Sequence, residues 1–356
     1  MIKIFYTIIC FLLCLSCSRY DTLTASLNEV ESIVESYPDS SLSILKGINI
    51  SSIHSNKHKA RYSLLLSIVN DKNYIDVESD SIITPALKYY LRTGDADKKL
   101  KVLYYRGIVE RNRGNHEAAM NWYVQADRFS MMATDKVMVG RLYTAMMISY
   151  NRVYDIEASI DMAQKACDSY HKACDTTRYI SAVLNLTSSY IQVNDTLKAM
   201  RNIQSLYRYR FKMNKQQLLN LYLKQMALSQ DITKYTLENL YVFLKSENID
   251  CKYVNWLMVT GKYCDSGDFH SANKAIEQYR KFNDSLDDLY YLYNANVCEY
   301  FCKYKEAAES YRIYNTLSDD SDISIFRDDT KFIEERYRSE LKNVRLHLML
   351  VIAALA

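Results

Sequence analysis

Glycine and proline are scarce in this chain, with 7 Gly and 2 Pro among 356 residues, where average usage gives roughly 40 of the two together. Sandwiches, barrels and hairpin-rich folds place those residues in their many turns, so the scarcity excludes them. Phosphate-cradling loops are excluded as well, because neither G-x-G-x-x-G nor G-x-x-x-x-G-K-[ST] occurs. H-E-x-x-H and G-x-S-x-G are also missing, and past Cys17 there is no C-x-x-C. His116-Glu117-Ala118-Ala119-Met120 lacks the second His of a zinc protease. Asp319, Asp320 and Asp322 lack the Gly and closing Glu of a calcium loop and read as a solvated helix start. Nothing here nominates a catalytic residue, so the expectation is a protein that is not an enzyme and takes no cofactor and no metal. Excess charge is missing too: 45 Lys+Arg against 42 Asp+Glu leaves +3, too balanced to draw a nucleic acid by bulk field.

What remains is 49% apolar and 24% charged residues with almost no breakers, the composition of an all-α chain. Its first 16 residues read as a leader. Lys3 supplies the positive end, and Ile4 to Leu15 is an apolar run of only ~18 Å as a helix, short of the ~30 Å hydrocarbon core. That is a signal-peptide core rather than a spanning helix. It ends in Leu13-Cys14-Leu15-Ser16-Cys17, which resembles the bacterial lipobox, with Cys14 standing where Leu is usual. The resemblance implies lipidation at Cys17. Six Cys lie beyond Cys17: Cys167, Cys174, Cys251, Cys264, Cys298 and Cys302. Cys167, His171 and Cys174 follow an i, i+4, i+7 spacing, open to core packing, a local disulfide or a soft metal site, with core packing the expectation. Cys298 and Cys302 stand one helical turn apart, where rigid helix geometry disfavours a disulfide. The most basic short stretch, Arg208, Arg210, Lys212 and Lys215 among Tyr207, Tyr209 and Phe211, is read as a helix C-terminal end, where cations complement the macrodipole, rather than a nucleic-acid patch.

Self-similarity decides the architecture. Windows starting at 100, 140, 180, 253 and 288 align with one another. Their twentieth position is Ala119, Ser159, Ala199, Ala272 and Ala307; their twenty-fourth is Tyr123, Ala163, Ile203, Ile276 and Tyr311. The twenty-seventh is Ala126, Ala166, Leu206, Tyr279 and Tyr314, and Tyr150, Tyr190 and Tyr263 recur at the eleventh. Position sixteen reads Asn115, Asp155, Asp195 and Asp268, with Lys303 departing. Asn and Asp are preferred N-caps, so each window predicts a first helix, a short turn and a capped second helix. The small residue allows close approach, and the large one fills space against the next repeat.

These residues resemble the tetratricopeptide repeat. Residues 100–133 match best, through Leu103, Gly107, Gly114, Ala119, Tyr123 and Ala126, followed by 253–286 through Trp256, Tyr263, Gly267, Ala272 and Ile276. Arg106 departs from the usual Leu, and a spacing of 40 in place of the usual 34 demands longer helices or loops. The resemblance implies a right-handed α-solenoid of helix pairs with a C-terminal helix. The expected organisation is a leader over 1–16, degenerate helical repeats over 17–99, the repeat array over 100–318, a charged helix over 319–345 and an apolar segment over 346–356. Residues 24–47, with a stop and restart at Tyr37-Pro38, and 57–93 form weaker pairs; 215–247 is degenerate. Pro85, inside an expected helix over 80–92, predicts a kink.

In tetratricopeptide arrays the first helices line a ligand groove. Carried over residue by residue, that implies Lys101, Tyr104, Arg111, Asn112, Arg141, Thr144, Asn151, Arg152, Ser188 and Gln192, a set able to bind acidic groups of a peptide. Tyr104 and Ile108 stand where the family's carboxylate clamp needs Lys and Asn. The C-terminal run Leu346 to Ala356 is ~16 Å of helix, half a bilayer. It reads as the start of a transmembrane helix, with an interfacial or partner-packing tail as the other reading. Exported, membrane-tethered tetratricopeptide proteins of bacteria are the family type this chain resembles. The expected function is a protein- or peptide-binding scaffold or sensor in the bacterial cell envelope, extracytoplasmic and membrane-anchored through a lipid and a C-terminal helix. A surface glycan-capture lipoprotein and an enzyme with no recognisable motif are the alternatives.

Overall fold

The computed structural model describes residues 22–93, 95–318 and 349. The leader, Cys17, the charged helix expected over 319–345 and, Met349 apart, the apolar segment 346–356 lie outside them. Among the described residues the regular structure is helical throughout: α-helices joined by tight turns and short 3-10 segments. No helix among them is long and apolar enough to cross a membrane. The chain divides into two compact units, Met1–Leu142 and Tyr143–Ala356.

The first unit holds α1 (22–33), α2 (Pro38–Gly47), α3 (Asn56–Lys72), α4 (Thr84–Thr93), α5 (Ala96–Asn112), α6 (His116–Asp127) and the beginning of α7 (Lys136–Arg152). Successive helices pack in pairs, α3 on α4 and α5 on α6. Leu27, Val30, Leu45, Ile53, Tyr62, Leu65 and Val69 form the core at its start. Pro38 opens α2 in the first turn, where its missing N–H has no partner to lose. The kink expected at Pro85 does not occur, for the same reason: α4 begins at Thr84, so Pro85 also lies in a first turn.

The second unit continues α7 and holds α8 (Ile156–Lys172), α9 (Thr176–Gln192), α10 (Thr196–Leu206), α11 (Lys215–Leu228), α12 (Leu237–Ser246), α13 (Trp256–Asp265), α14 (Phe269–Phe282), α15 (Asp288–Tyr300) and α16 (304–318). Here α8 packs on α9, α9 on α10 and α11, and α13 on α14 and α15. Trp256, Tyr263, Leu240 and Met226 centre its larger core.

The repeat columns take the places the alignment gave them. Ala119, Ser159, Ala199, Ala272 and Ala307 are all buried, as are Tyr123, Ala163, Ile203 and Ile276. Asp155, Asp195 and Asp268 accept hydrogen bonds from the backbone N–H of Ala158, Lys198 and Ser271 at 3.0, 3.1 and 3.1 Å. Asn115 differs. It holds the N-cap position of α6 without bonding the helix, because its amide instead donates to Glu110 Oε2 at 3.0 Å. The 40-residue spacing is met in two ways: α5, α7, α8 and α9 are each 17 residues long, whereas α6 (12 residues) and α10 (11 residues) are shorter and are followed by longer connections over 128–135 and 207–214.

A further column was not read from sequence. Position fifteen is left-handed in every window, at Gly114 (φ 82°), Tyr154 (56°), Asn194 (56°), Gly267 (76°) and Cys302 (58°), and Tyr74 repeats it 40 residues before Gly114. Cys302 therefore sits in a turn beyond α15 rather than on a helical face with Cys298, and both thiols are free. Left-handed backbone costs an ordinary L-residue about 1 kcal/mol and glycine almost nothing. Tyr154 is 68% exposed, so its side chain contributes little packing. Tyr154→Gly is expected to stabilise the chain by about 0.5–1 kcal/mol, read as a higher urea midpoint at unchanged slope. A lower midpoint would show that the tyrosine ring holds the turn.

Candidate functional site

Candidate functional residues stand on the first helices of each unit taken by itself: α5 and the start of α7 in the first, and the rest of α7, α9 and α11 in the second. In the first unit the polar residues there are largely engaged with one another. Lys101 Nζ pairs with Asp135 Oδ2 at 2.8 Å, and Asp135 in turn caps α7 by accepting from Met138 N at 3.0 Å. Arg141 donates to the Tyr105 hydroxyl at 3.2 Å and lies 4.0 Å from Asp71. Burial works against the charge of Asp97, yet hydrogen bonds from Thr134 and Asp135, helped by Lys101, hold its carboxyl below the usual range. Asn112 donates to the Val77 carbonyl at 3.3 Å, and Arg111 bonds Asn112 while remaining exposed. Tyr104 is buried, its ring 5.0 Å from Tyr105 and 5.8 Å from Tyr123.

Arg106, which departs from the family's leucine, is accounted for by its surroundings. It pairs with Glu110 at 2.6 Å and stacks over the Trp122 ring at 5.3 Å. Burial opposes the charge on Glu110, but Asn115, Arg106 and Arg113 hold its carboxyl below the ordinary value. This is a structural clasp between α5 and α6.

In the second unit Thr144 shares a hydrogen bond with the Tyr170 hydroxyl at 3.3 Å. Arg152 and Gln192 are exposed. The side-chain carbonyl of Asn151 is buried without a hydrogen-bond partner among the described residues. Ser188 accepts a hydrogen bond from Lys224 Nζ of α11. Lys224 was not singled out from the sequence, because residues 215–247 carry none of the repeat columns. One signal was available. Contacts between neighbouring first helices recur at a separation of 36, as in Arg141 to Tyr105 and Gln217 to Ser181 (2.9 Å). Ser188 plus 36 is Lys224.

Burial pulls the Lys224 ammonium down to about 8 from its usual 10.5. Its one hydrogen-bond partner among the described residues is the Ser188 hydroxyl, where an ammonium can donate three bonds. The folded chain thus gives up this proton more readily than the unfolded chain. Between pH about 8 and 10.5 the unfolded state binds more protons, so stability rises with pH across that window, and below pH 8 the full cost of burying the charge is present. Lys224→Met is expected to stabilise the chain by about 2 kcal/mol at pH 7, with the gain shrinking to nothing near pH 10.5. Urea titrations at pH 7 and 10.5 test this; a gain equal at both would assign the effect to packing.

Cys167 is buried in α8 and its thiol pushed up to about 12 by burial, whereas Cys174 is exposed in the following turn. Both are free, and no group of His, Cys, Asp and Glu among the described residues is placed to hold a metal ion.

No protein-family model and no curated protein matches the sequence. Solved structures do resemble it. A Rap protein in complex with competence and sporulation factor superposes with a TM-score of 0.55 at 14% identity, over 93% of this chain and 97% of that one. The fold is that of tetratricopeptide-like helical repeats. The apo form of RapI, at TM-score 0.56 and 13% identity, covers 74% of this chain and is itself covered completely. At such identities the likeness carries the architecture alone.

Proposed function

We propose that this chain is a protein- or peptide-binding helical-repeat scaffold or sensor whose ligand presents a carboxylate to Lys224, and that it works in the bacterial envelope, held there by its leader cysteine, Cys17. One observation carries the ligand reading: a half-buried ammonium on a first helix, with one neutral partner, Ser188. A carboxylate arriving there would fill its remaining donors and form charge-assisted hydrogen bonds in a desolvated setting. The Rap protein of similar fold is described in complex with competence and sporulation factor, which supports a ligand-binding role for such a fold. Export and anchoring rest on the leader pattern and on the apolar run at 346–356.

The test is retention of the chain on an array of random peptides, compared with Lys224→Met. Wild type is expected to enrich peptides bearing Asp, Glu or a free C-terminus, and the variant to lose about tenfold in affinity for them. Affinity is expected to fall as pH rises through about 8, where the free ammonium loses its proton. Enrichment that is indifferent to acidic residues, or identical for Lys224→Met, would sink the reading. Release of the chain from isolated bacterial membranes by salt alone would count against the anchor.

A further inference from the structure

Lys198, Arg201, Arg208, Arg210, Lys212, Lys215 and Lys224 all lie between Asp195 and Asp231, and no Asp or Glu stands between those two. A chain balanced overall at 45 cations to 42 anions therefore concentrates positive charge in one segment. The structure brings six of these seven cations to the surface. Helix α10 buries Ala199, Ile203 and Leu206. At about 100° per residue, Leu197, Arg201 and Gln204 fall on the opposite side, with Met200 beside them. Leu197 is 70% exposed and Met200 57%.

Beyond α10 runs a 3-10 segment, Tyr207–Lys212, and it is pinned. Tyr209 packs edge-on against Tyr179 of α9 with ring centroids 5.8 Å apart, and the Arg208 guanidinium lies 5.0 Å from the Tyr209 ring. Gln225 donates to the Tyr207 hydroxyl, Met213 is buried, and Lys215 Nζ donates to the Asn248 carbonyl at 2.6 Å. Between these anchors Phe211 is wholly exposed, with Arg210 and Lys212 on either side of it in sequence. Two carboxylates face the patch: Asp195, 2.9 Å from Lys198, and Glu247, 3.5 Å from Arg210. Arg201, Arg208, Lys212 and Lys215 have no carboxylate partner among the described residues.

We infer that α10 and the segment Tyr207–Lys212 form a docking surface for an anionic lipid bilayer. Phe211, Leu197 and Met200 enter the boundary of the acyl chains, while Arg201, Arg208, Lys212 and Lys215 meet the lipid phosphates. The combination of side chains selects this partner. A nucleic acid would satisfy the cations and could stack a base on Phe211, but would leave Leu197 and Met200 in water; a bilayer with acidic headgroups satisfies both sets. The inference is independent of the peptide reading, since Lys224 and Ser188 take no part in it.

The test places a reporter at the apex. The full chain carrying Phe211→Trp is mixed with vesicles of phosphatidylcholine alone, or of phosphatidylcholine with phosphatidylglycerol, and brominated acyl chains serve as quencher. A blue shift and quenching beyond those of the wild-type chain, which supplies the background from Trp122 and Trp256, are expected only with the anionic vesicles. Because quenching reports residue 211 itself, attachment through either end of the chain does not mimic it. Partitioning of R201E/R208E/K212E is expected to weaken on the order of a hundredfold, and that of Phe211→Ser about tenfold. Raising the salt to ~0.5 M should release the unmodified surface in the same way, which keeps the test decisive where the triple variant fails to fold. No quenching on anionic vesicles, or equal quenching on neutral ones, would overturn the proposal. So would binding to an oligonucleotide or polyglutamate as tight as to the vesicles and unaffected by Phe211→Ser.

Discussion

A Gly107→Val chain is expected to lose at least about 3 kcal/mol of stability, enough to lower the urea midpoint of the transition that includes the first unit by a large fraction. A Cβ at Gly107 would stand 2.4 Å from Tyr123 Cε1, 2.7 Å from Cδ1 and 3.1 Å from the Ala119 carbonyl oxygen. None of these can withdraw cheaply. Tyr123 is buried to 1% exposure and bounded by the Tyr104 ring, and the Ala119 oxygen belongs to the α6 backbone, so α5 and α6 would have to separate. Helix propensity pulls the other way by about 1 kcal/mol on replacing glycine, which makes Gly107→Ala the milder variant and valine the stricter one. Gly47→Ala is the control, since nothing lies within 4 Å of its added Cβ; it is expected to be neutral or slightly stabilising. Equal midpoints for Gly107→Val and wild type would mean that the two helices do not pack as described.

Trp256→Ala is expected to cost about 3–5 kcal/mol from the cavity and about 1 kcal/mol more from the lost hydrogen bond, since the Cys251 carbonyl still accepts from Val254 N at 3.2 Å. The indole is 1% exposed, and its Nε1–H donates to the Cys251 carbonyl at 2.9 Å, closing the 3-10 turn Cys251–Tyr253 onto the start of α13. Trp256→Phe keeps most of the volume and loses only the hydrogen bond, so it should fall well short of the alanine variant. Thermal unfolding followed by circular dichroism gives the size of the effect. Trp122, in the first unit, then becomes the sole tryptophan, and its fluorescence reports whether that unit melts in the same transition. An alanine variant within about 1 kcal/mol of wild type would contradict a buried, bonded indole at this position.

The repeats were legible in the sequence where physics leaves little choice of side chain. Helices that cross closely demand Ala or Ser, so Ala119, Ser159, Ala199, Ala272 and Ala307 announce themselves; an aspartate ahead of a second helix announces its cap. Legibility failed where the backbone rather than the side chain bears the constraint. Tyr74, Tyr154 and Cys302 occupy left-handed turns that Gly or Asn would have signalled. Residues 215–247 hid Lys224 because α12 is entered through a 3-10 segment, Ile232–Tyr235, so the small-residue column has no counterpart there. Of the expected groove residues, Lys101, Arg141, Thr144, Asn112 and Ser188 all turned out to hold defined partners. A polar residue at a groove-facing offset has neighbours one repeat away that its own window cannot name.

The 17-residue helices have a consequence for reach. At ~1.5 Å of rise per residue, a first helix of 17 residues measures ~26 Å from end to end. An extended strand advances ~3.4 Å per residue. A ligand laid along α9, as the proposed function has it, would therefore pass seven or so of its own residues before leaving the helix.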